Sequence, residues 1–187
     1  IQTIKQDYSF LRDANYFITS AETGQGISEL RHHLANLPEL ADTQKPFRYA
    51  IDRVFSVKGA GTVVTGTAFS GTVKVNDELY LSTGQKVRVK AIHAQNTSSE
   101  QGIAGQRLAL NLNADLDRTP MKRGDWLLQD EPLPPTDRIS VQILAEVPLN
   151  ESQPVHIYHG ASRTTGKLTL LQGKNAAKND RTLAEII

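Results

Sequence analysis

The sequence predicts a mainly β chain: one closed antiparallel barrel, a second barrel only partly present, and a short α/β segment ahead of both. Three observations carry that reading. From Gly59 to Gly71 the run GAGTVVTGTAFSG sets β-branched Val63 and Val64 among glycines at 59, 61, 66 and 71, where a strongly bent strand or tight turn needs them. The run VKVNDELYL then places Val73, Val75, Leu79 and Leu81 at mostly even spacing around an Asn76-Asp77 turn. Finally, Pro132, Pro134 and Pro135 interrupt the pattern, and alternation resumes at Ile139, Val141 and Ile143, then Val155 and Ile157, then Leu168 and Leu170.

Taken in order, Ile1, Ile4 and Tyr8 are spaced as the last turns of an amphipathic helix, and Tyr16-Phe17-Ile18 reads as a buried parallel strand. Thr23 to Gly26 is turn material. Ile27, Leu30, Leu34 and Leu37 then mark one face of a helix that ends before Pro38. His32 and His33 fall late in that helix, where its dipole favours a cation, and are expected to face solvent. Glu39 to Lys45 is a polar connector and Pro46 opens the barrel.

Within the barrel, Phe47, Tyr49 and Ile51 alternate with Arg48, Ala50 and Asp52; Val87 and Val89 alternate with Arg88 and Lys90; and Leu108, Leu110 and Leu112 alternate with Arg107 and Asn111. Between Pro46 and Asp130 eleven Lys/Arg stand against eight Asp/Glu, a local net of +3 that predicts a basic outer face. The expected domains are 1–45, 46–131 and 132–187. The last is expected to be incomplete, because Leu183 to Ile187 begins a strand with nothing after it, and the chain is expected to be a piece of something larger.

Composition excludes more than it identifies. The 187 residues are 39% hydrophobic, enough for a real core, and the formal net charge of +1 is too weak to steer a nucleic acid except through a local basic face. With no cysteine there is no disulfide framework, thiolate metal site or thiol nucleophile. No apolar run approaches a membrane span and no basic stretch followed by a short apolar one occurs in this sequence, so a cytoplasmic location without a membrane partner is expected. His156 and His159 are three apart on a predicted strand, which argues against a shared metal, and no nucleophile–base set appears.

The stretch GAGTVVTGTAFSGTVKVNDEL resembles domain II of the translational GTPases, and Lys122-Arg123-Gly124-Asp125-Trp126-Leu127 resembles its closing strand. Ser20-Ala21-Glu22, followed by TGQGISELRHHL, resembles the last guanine-recognition box and final helix of a G domain. Yet GxxxxGK[ST], [NT]KxD and DxxG are all missing. The resemblance thus implies GTP and Mg2+ as cofactors of a parent GTPase, while this stretch alone should neither hold GTP tightly nor hydrolyse it.

Within that superfamily, AIDRVFSVKGAGTVVTGT, His93-Ala94-Gln95-Asn96 and AGQRLALN at 104–111 resemble the selenocysteine-specific elongation factors, over the chain from about Tyr16 onward. The resemblance implies a parent that binds GTP and selenocysteinyl-tRNA and delivers it to the ribosome at UGA codons. An mRNA hairpin would be met by regions outside this chain. It further implies an aminoacyl pocket of Asp52, Arg53 and Arg107. Two guanidiniums suit a selenolate, which is anionic at neutral pH, far better than a neutral serine hydroxyl. Asp52 would orient an arginine or meet the esterified amino group.

Without the resemblance, the same trio reads as ordinary surface ion-pair residues on neighbouring strands. Lys58, Lys86, Arg88, Lys90, His93 and Arg163 are the candidate tRNA contacts, a solvated basic face being the alternative for each and packing the default for His93. Two rival functions stay open: a general elongation or initiation factor without selenocysteine selectivity, and a non-translational GTPase using the barrel for protein interaction.

Overall fold

In the computed structural model the described residues are 11, 13–37, 42–59 and 61–187, so the expected helix over Ile1 to Tyr8 and part of the 39–45 connector lie outside them. Helix α1 is Ile27–Ala35, entered from Gly26 at φ 68° and closed by Asn36. The strands are β1 Arg48–Val57, β2 Gly61–Ser70, β3 Thr72–Lys74, β4 Glu78–Leu81, β5 Lys86–Ala94, β6 Thr97–Ser99, β7 Gln101–Ile103, β8 Arg107–Asn113 and β9 Trp126–Leu128. They continue as β10 Ile139–Leu144, β11 Leu149–Asn150, β12 Ser152–His159, β13 Ser162–Leu170, β14 Asn175–Ala176 and β15 Arg181–Ile186.

The first sheet runs β4-β9-β1-β2-β8-β5-β6, and β4 pairs with β5 as well, which closes six strands into a ring. Closure is the general remedy for exposed sheet edges. The inward positions are the predicted ones: Phe47, Tyr49, Ile51, Val87, Val89, Leu108, Leu110 and Leu112 form one buried cluster with Val64, Leu79, Leu81, Ile92 and Leu127. Tyr49 brings a hydroxyl into that core, and it donates to the Leu108 carbonyl at 2.9 Å with the Val64 carbonyl at 3.3 Å. Burial pushes its phenol well above the ordinary value. Gly66 faces inward opposite Ile51, where a Cβ would come within 2.0 Å of the Ala50 carbonyl oxygen, so only glycine fits.

Asn76 and Asp77 make the expected turn, with Asn76 at φ 77° and the Asp77 carboxylate accepting the Lys74 N–H at 2.7 Å. The strands flanking it do not pair with each other. β3 pairs with β7, whereas β4 pairs with β5 and β9, so the turn joins two different parts of the fold.

Beyond the proline linker lies a four-stranded sheet in the order β10-β15-β13-β12, with β11 and β14 paired separately. By compactness the described residues fall into two units, one within Leu40–Ile139 and Pro154–Lys167 with Ile187, the other within Ile1–Glu39, Ser140–Gln153 and Leu168–Ile186. Most of β12 and β13, with the turn that joins them, therefore belongs to the same unit as the barrel. There His159 stacks on Trp126 at 4.9 Å, and Arg123 Nε donates to the Ala161 carbonyl at 3.1 Å.

Two expectations near the N-terminus are corrected. Tyr16-Phe17-Ile18 is not a strand, and Tyr16 and Ile18 are 59% and 70% exposed, because among the described residues no strand lies beside it to complete a ladder. His33 is half-buried rather than solvent-facing, its ring 4.9 Å from that of Phe17. No described helix is long and apolar enough to cross a membrane.

Candidate functional site

Strand alternation dictates where an Asp-Arg dipeptide can point. With Tyr49 and Ile51 inward, uninterrupted alternation would drive Arg53 into the core, an untenable place for an unpaired guanidinium. The β1–β2 register shifts between Ile51 and Arg53: Ile51 faces Gly66, Arg53 faces Thr65 and Val54 faces buried Val64. Asp52 is the extra residue of this bulge. The bulge turns both Asp52 and Arg53 to the outer face and restores Val54 to the inside.

Arg107 begins β8 opposite Thr67, two residues before Ala109, which pairs with Thr65. Its Nη1 donates to Asp52 Oδ2, and its Nη2 to Asp52 Oδ1 at 3.1 Å. Thr65 Oγ1 donates to the same Oδ1 at 2.8 Å and lies 3.4 Å from Arg107 Nη2. The Arg107 guanidinium, then Thr65, holds the Asp52 carboxyl below the usual carboxylate range, and Asp52 raises Arg107 in turn. Side-chain exposure is 24% for Asp52 and 56% for Arg107, so the pair is open to a ligand. The Arg53 side chain is exposed and makes no hydrogen bond or ion pair among the described residues, though its charge also helps to hold Asp52 down.

Arg107 and Thr65 also line a groove of about 500 Å³, together with His93, Gln95, Asn96 and Gln106 among others. Gln95 and Asn96 turn the chain from β5 to β6 with φ of 52° and 63°. Ala94 pairs with Thr97, and a two-residue hairpin turn of this kind requires positive φ at both central residues. His93, a candidate tRNA contact for which packing was the default, is exposed on this groove. Thr65, Gln95, Asn96 and Gln106 were not singled out as site residues from sequence, although Gln95, Asn96 and Gln106 lie inside the two runs that carried the resemblance.

The other expected contacts are dispersed. Arg88 is paired with Glu78 at 2.8 Å, and Lys86 lies over the Tyr80 ring at 5.0 Å. Lys90 is exposed farther along the same strand, and Lys58 is exposed in the β1–β2 turn. Arg163 lies on β13, 3.5 Å from His156 Nε2 and over the Tyr158 ring. Ser20 to Glu22 form a turn: Ser20 Oγ accepts the Thr23 N–H at 3.2 Å and the Ser20 carbonyl accepts the Gly24 N–H at 2.9 Å. Among the described residues no cluster suited to a metal ion occurs, and the sequence holds no phosphate loop.

Residues 61–128 match the model for Elongation factor Tu domain 2, and residues 136–187 match that for the β-barrel domain of selenocysteine-specific elongation factor. The chain is 96% identical over its full length to the selenocysteine-specific elongation factor of Haemophilus influenzae, covering 30% of that protein. It is 48% identical over 92% of its length to the Escherichia coli factor, covering 28% of it. The apo structure of elongation factor SelB from Methanococcus maripaludis superposes with a TM-score of 0.80 at 26% identity, over 98% of this chain and 45% of that one.

The chain belongs to the selenocysteine-specific elongation factor family. It spans about 30% of the length of the curated relatives it matches.

Proposed function

We propose that this chain is the aminoacyl- and tRNA-binding part of a longer factor that binds GTP with Mg2+, carries selenocysteinyl-tRNA and delivers it to the ribosome, where selenocysteine is inserted at UGA codons. Residues 1–45 then close its nucleotide-binding domain, 46–131 form the second domain and 132–187 open the third. The nucleotide's phosphates are held outside this chain, which contributes only the Ser20 to Glu22 turn toward the base. An mRNA hairpin is likewise met elsewhere in the longer protein.

One observation carries the reading: Asp52, Arg53, Thr65 and Arg107 share one patch of the barrel's outer face, and Thr65 and Arg107, which both hydrogen-bond Asp52, also line an open groove. Asp52 cancels one of the two guanidiniums, leaving one net positive charge. At neutral pH a selenocysteinyl side chain is a selenolate and a seryl side chain is neutral. A unit charge about 4 Å away contributes on the order of 4 kcal/mol at an intermediate dielectric, and a fraction of that gives tenfold to hundredfold discrimination.

The test uses a factor of the relatives' full length with GTP, binding selenocysteinyl- and seryl-tRNA on the same tRNA body. Selenocysteinyl-tRNA is expected to bind at least tenfold more tightly, and Arg107→Ala to erase that preference. Equal binding of both would identify a general translational GTPase. Binding of neither would identify a barrel used for protein contacts.

A further inference from the structure

Arg107 carries five N–H donors, and Asp52 takes the end-on fork, one from each terminal nitrogen. A guanidinium gripped in that way still has its Nε edge and outer N–H groups to offer. Where they point depends on what fixes the plane of the group. Arg107 is more than half exposed, so packing does little to fix it, and Asp52 does so only as far as its own carboxylate is held.

Thr65 supplies that hold. It stands on β2 opposite Arg53, within the bulge, with its hydroxyl 2.8 Å from Asp52 Oδ1 and 3.4 Å from Arg107 Nη2. Thr65 and Arg107 both line the groove. A β-branched side chain on a strand has few χ1 choices, so the hydroxyl is a stiff anchor.

We infer that Thr65 is a positioning residue for the anion pocket: by clamping Asp52 on the fork of Arg107 it holds the remaining guanidinium donors toward the groove, where an anionic aminoacyl side chain would meet them. This rests on the reading of Arg107 as the anion-binding group. Asp52 in this arrangement stays bound to Arg107 when ligand arrives, and is not displaced. A neutral side chain gains little from the aimed donors, so Thr65 contributes to selectivity rather than to general tRNA affinity.

The experiment compares Thr65→Val and Thr65→Ser in the full-length factor with GTP, binding selenocysteinyl- and seryl-tRNA on one tRNA body. Thr65→Val keeps the shape and deletes the hydroxyl. It should weaken selenocysteinyl-tRNA about five- to tenfold and leave seryl-tRNA unchanged, with Thr65→Ser restoring binding to within about twofold. Thr65→Ala serves if the extra methyl disturbs the fold, as judged from the unfolding transition of the factor. Equal weakening of both tRNAs, or no change for selenocysteinyl-tRNA, would overturn the inference. Arg107→Ala separates the two levels: selectivity lost there but kept in Thr65→Val defeats the role of Thr65 alone, whereas selectivity unmoved by Arg107→Ala defeats the pocket itself.

Discussion

The barrel and the sheet that follows it use the same strand grammar and reach different ends. In the barrel, β4-β9-β1-β2-β8-β5 closes on itself, and its inward side chains, Leu110 among them, are hidden from solvent. In the second sheet the order β10-β15-β13-β12 leaves β10 and β12 at the edges. Burial there is confined to the central strands, at Leu168, Leu170, Thr182 and Ala184, while β10 buries nothing and Leu144 is 50% exposed. Alternation makes a strand; closure makes a core. The barrel's stability is internal, whereas the second sheet still shares its apolar side chains with water.

The largest expected effect tests that contrast directly. Leu110→Ala removes a fully buried side chain from the barrel and should cost about 2–5 kcal/mol, while Leu144→Ala on β10 should cost under about 1 kcal/mol. Trp126 is the chain's single tryptophan and sits on β9, so its fluorescence during urea unfolding reports the barrel. Leu110→Ala should shift that transition strongly and Leu144→Ala should leave it in place. Equal shifts would mean that the two regions unfold as one, and the contrast would fall.

A smaller effect comes from the polar atom inside the barrel. Tyr49→Phe leaves the Leu108 and Val64 carbonyls without the hydroxyl and should cost about 1–2 kcal/mol, against under about 0.5 kcal/mol for Tyr158→Phe on β12, where the side chain is 68% exposed. The sign with pH follows from burial, which raises the Tyr49 phenol. Its neutral form stabilises the fold below the ordinary tyrosine value of about 10 and that contribution drains away as pH rises above it. Wild type should therefore lose stability on the alkaline side more steeply than Tyr49→Phe does.

Much of the barrel was legible because its signals are local or nearly so. Period-two alternation at Phe47, Tyr49 and Ile51 and at Leu108, Leu110 and Leu112 names the inward face, and closed or open sheets both obey it. What could not be read is pairing. The Tyr16 to Ile18 run satisfies the composition of a strand and lacks a neighbour; the strands around Asn76-Asp77 look like a hairpin and pair elsewhere.

The site divides along the same line. Asp52 and Arg107 were named through resemblance, but the bulge that turns Asp52 and Arg53 to one side depends on where β2 lies. Thr65 has no sequence signal of its own: it is one of several threonines in a β-branched run, and only the register with Arg53 brings it to Asp52. A pair of non-glycine left-handed residues such as Gln95-Asn96 is invisible until backbone angles are known.

The smallest expected effect sharpens the contrast from the outside of the barrel. Asp52 is held below the ordinary carboxylate value by Arg107 and Thr65, so its contribution is fully present above about pH 4, the unfolded value, and is lost as pH falls toward the folded one. Asp52→Asn should lower barrel stability at neutral pH by under about 1 kcal/mol, since Arg107 is 56% exposed and well solvated. The gap between wild type and Asp52→Asn should narrow as pH drops below about 4 and shrink in molar salt. A gap that stayed constant across that range would show that the residue acts through packing and not through its charge. A gap as large as that of Leu110→Ala would make the cluster a structural element, and an arrangement so costly to disturb would be poorly suited to receive a ligand. A small, titrating, salt-sensitive contribution is what separates a binding face from the core beneath it.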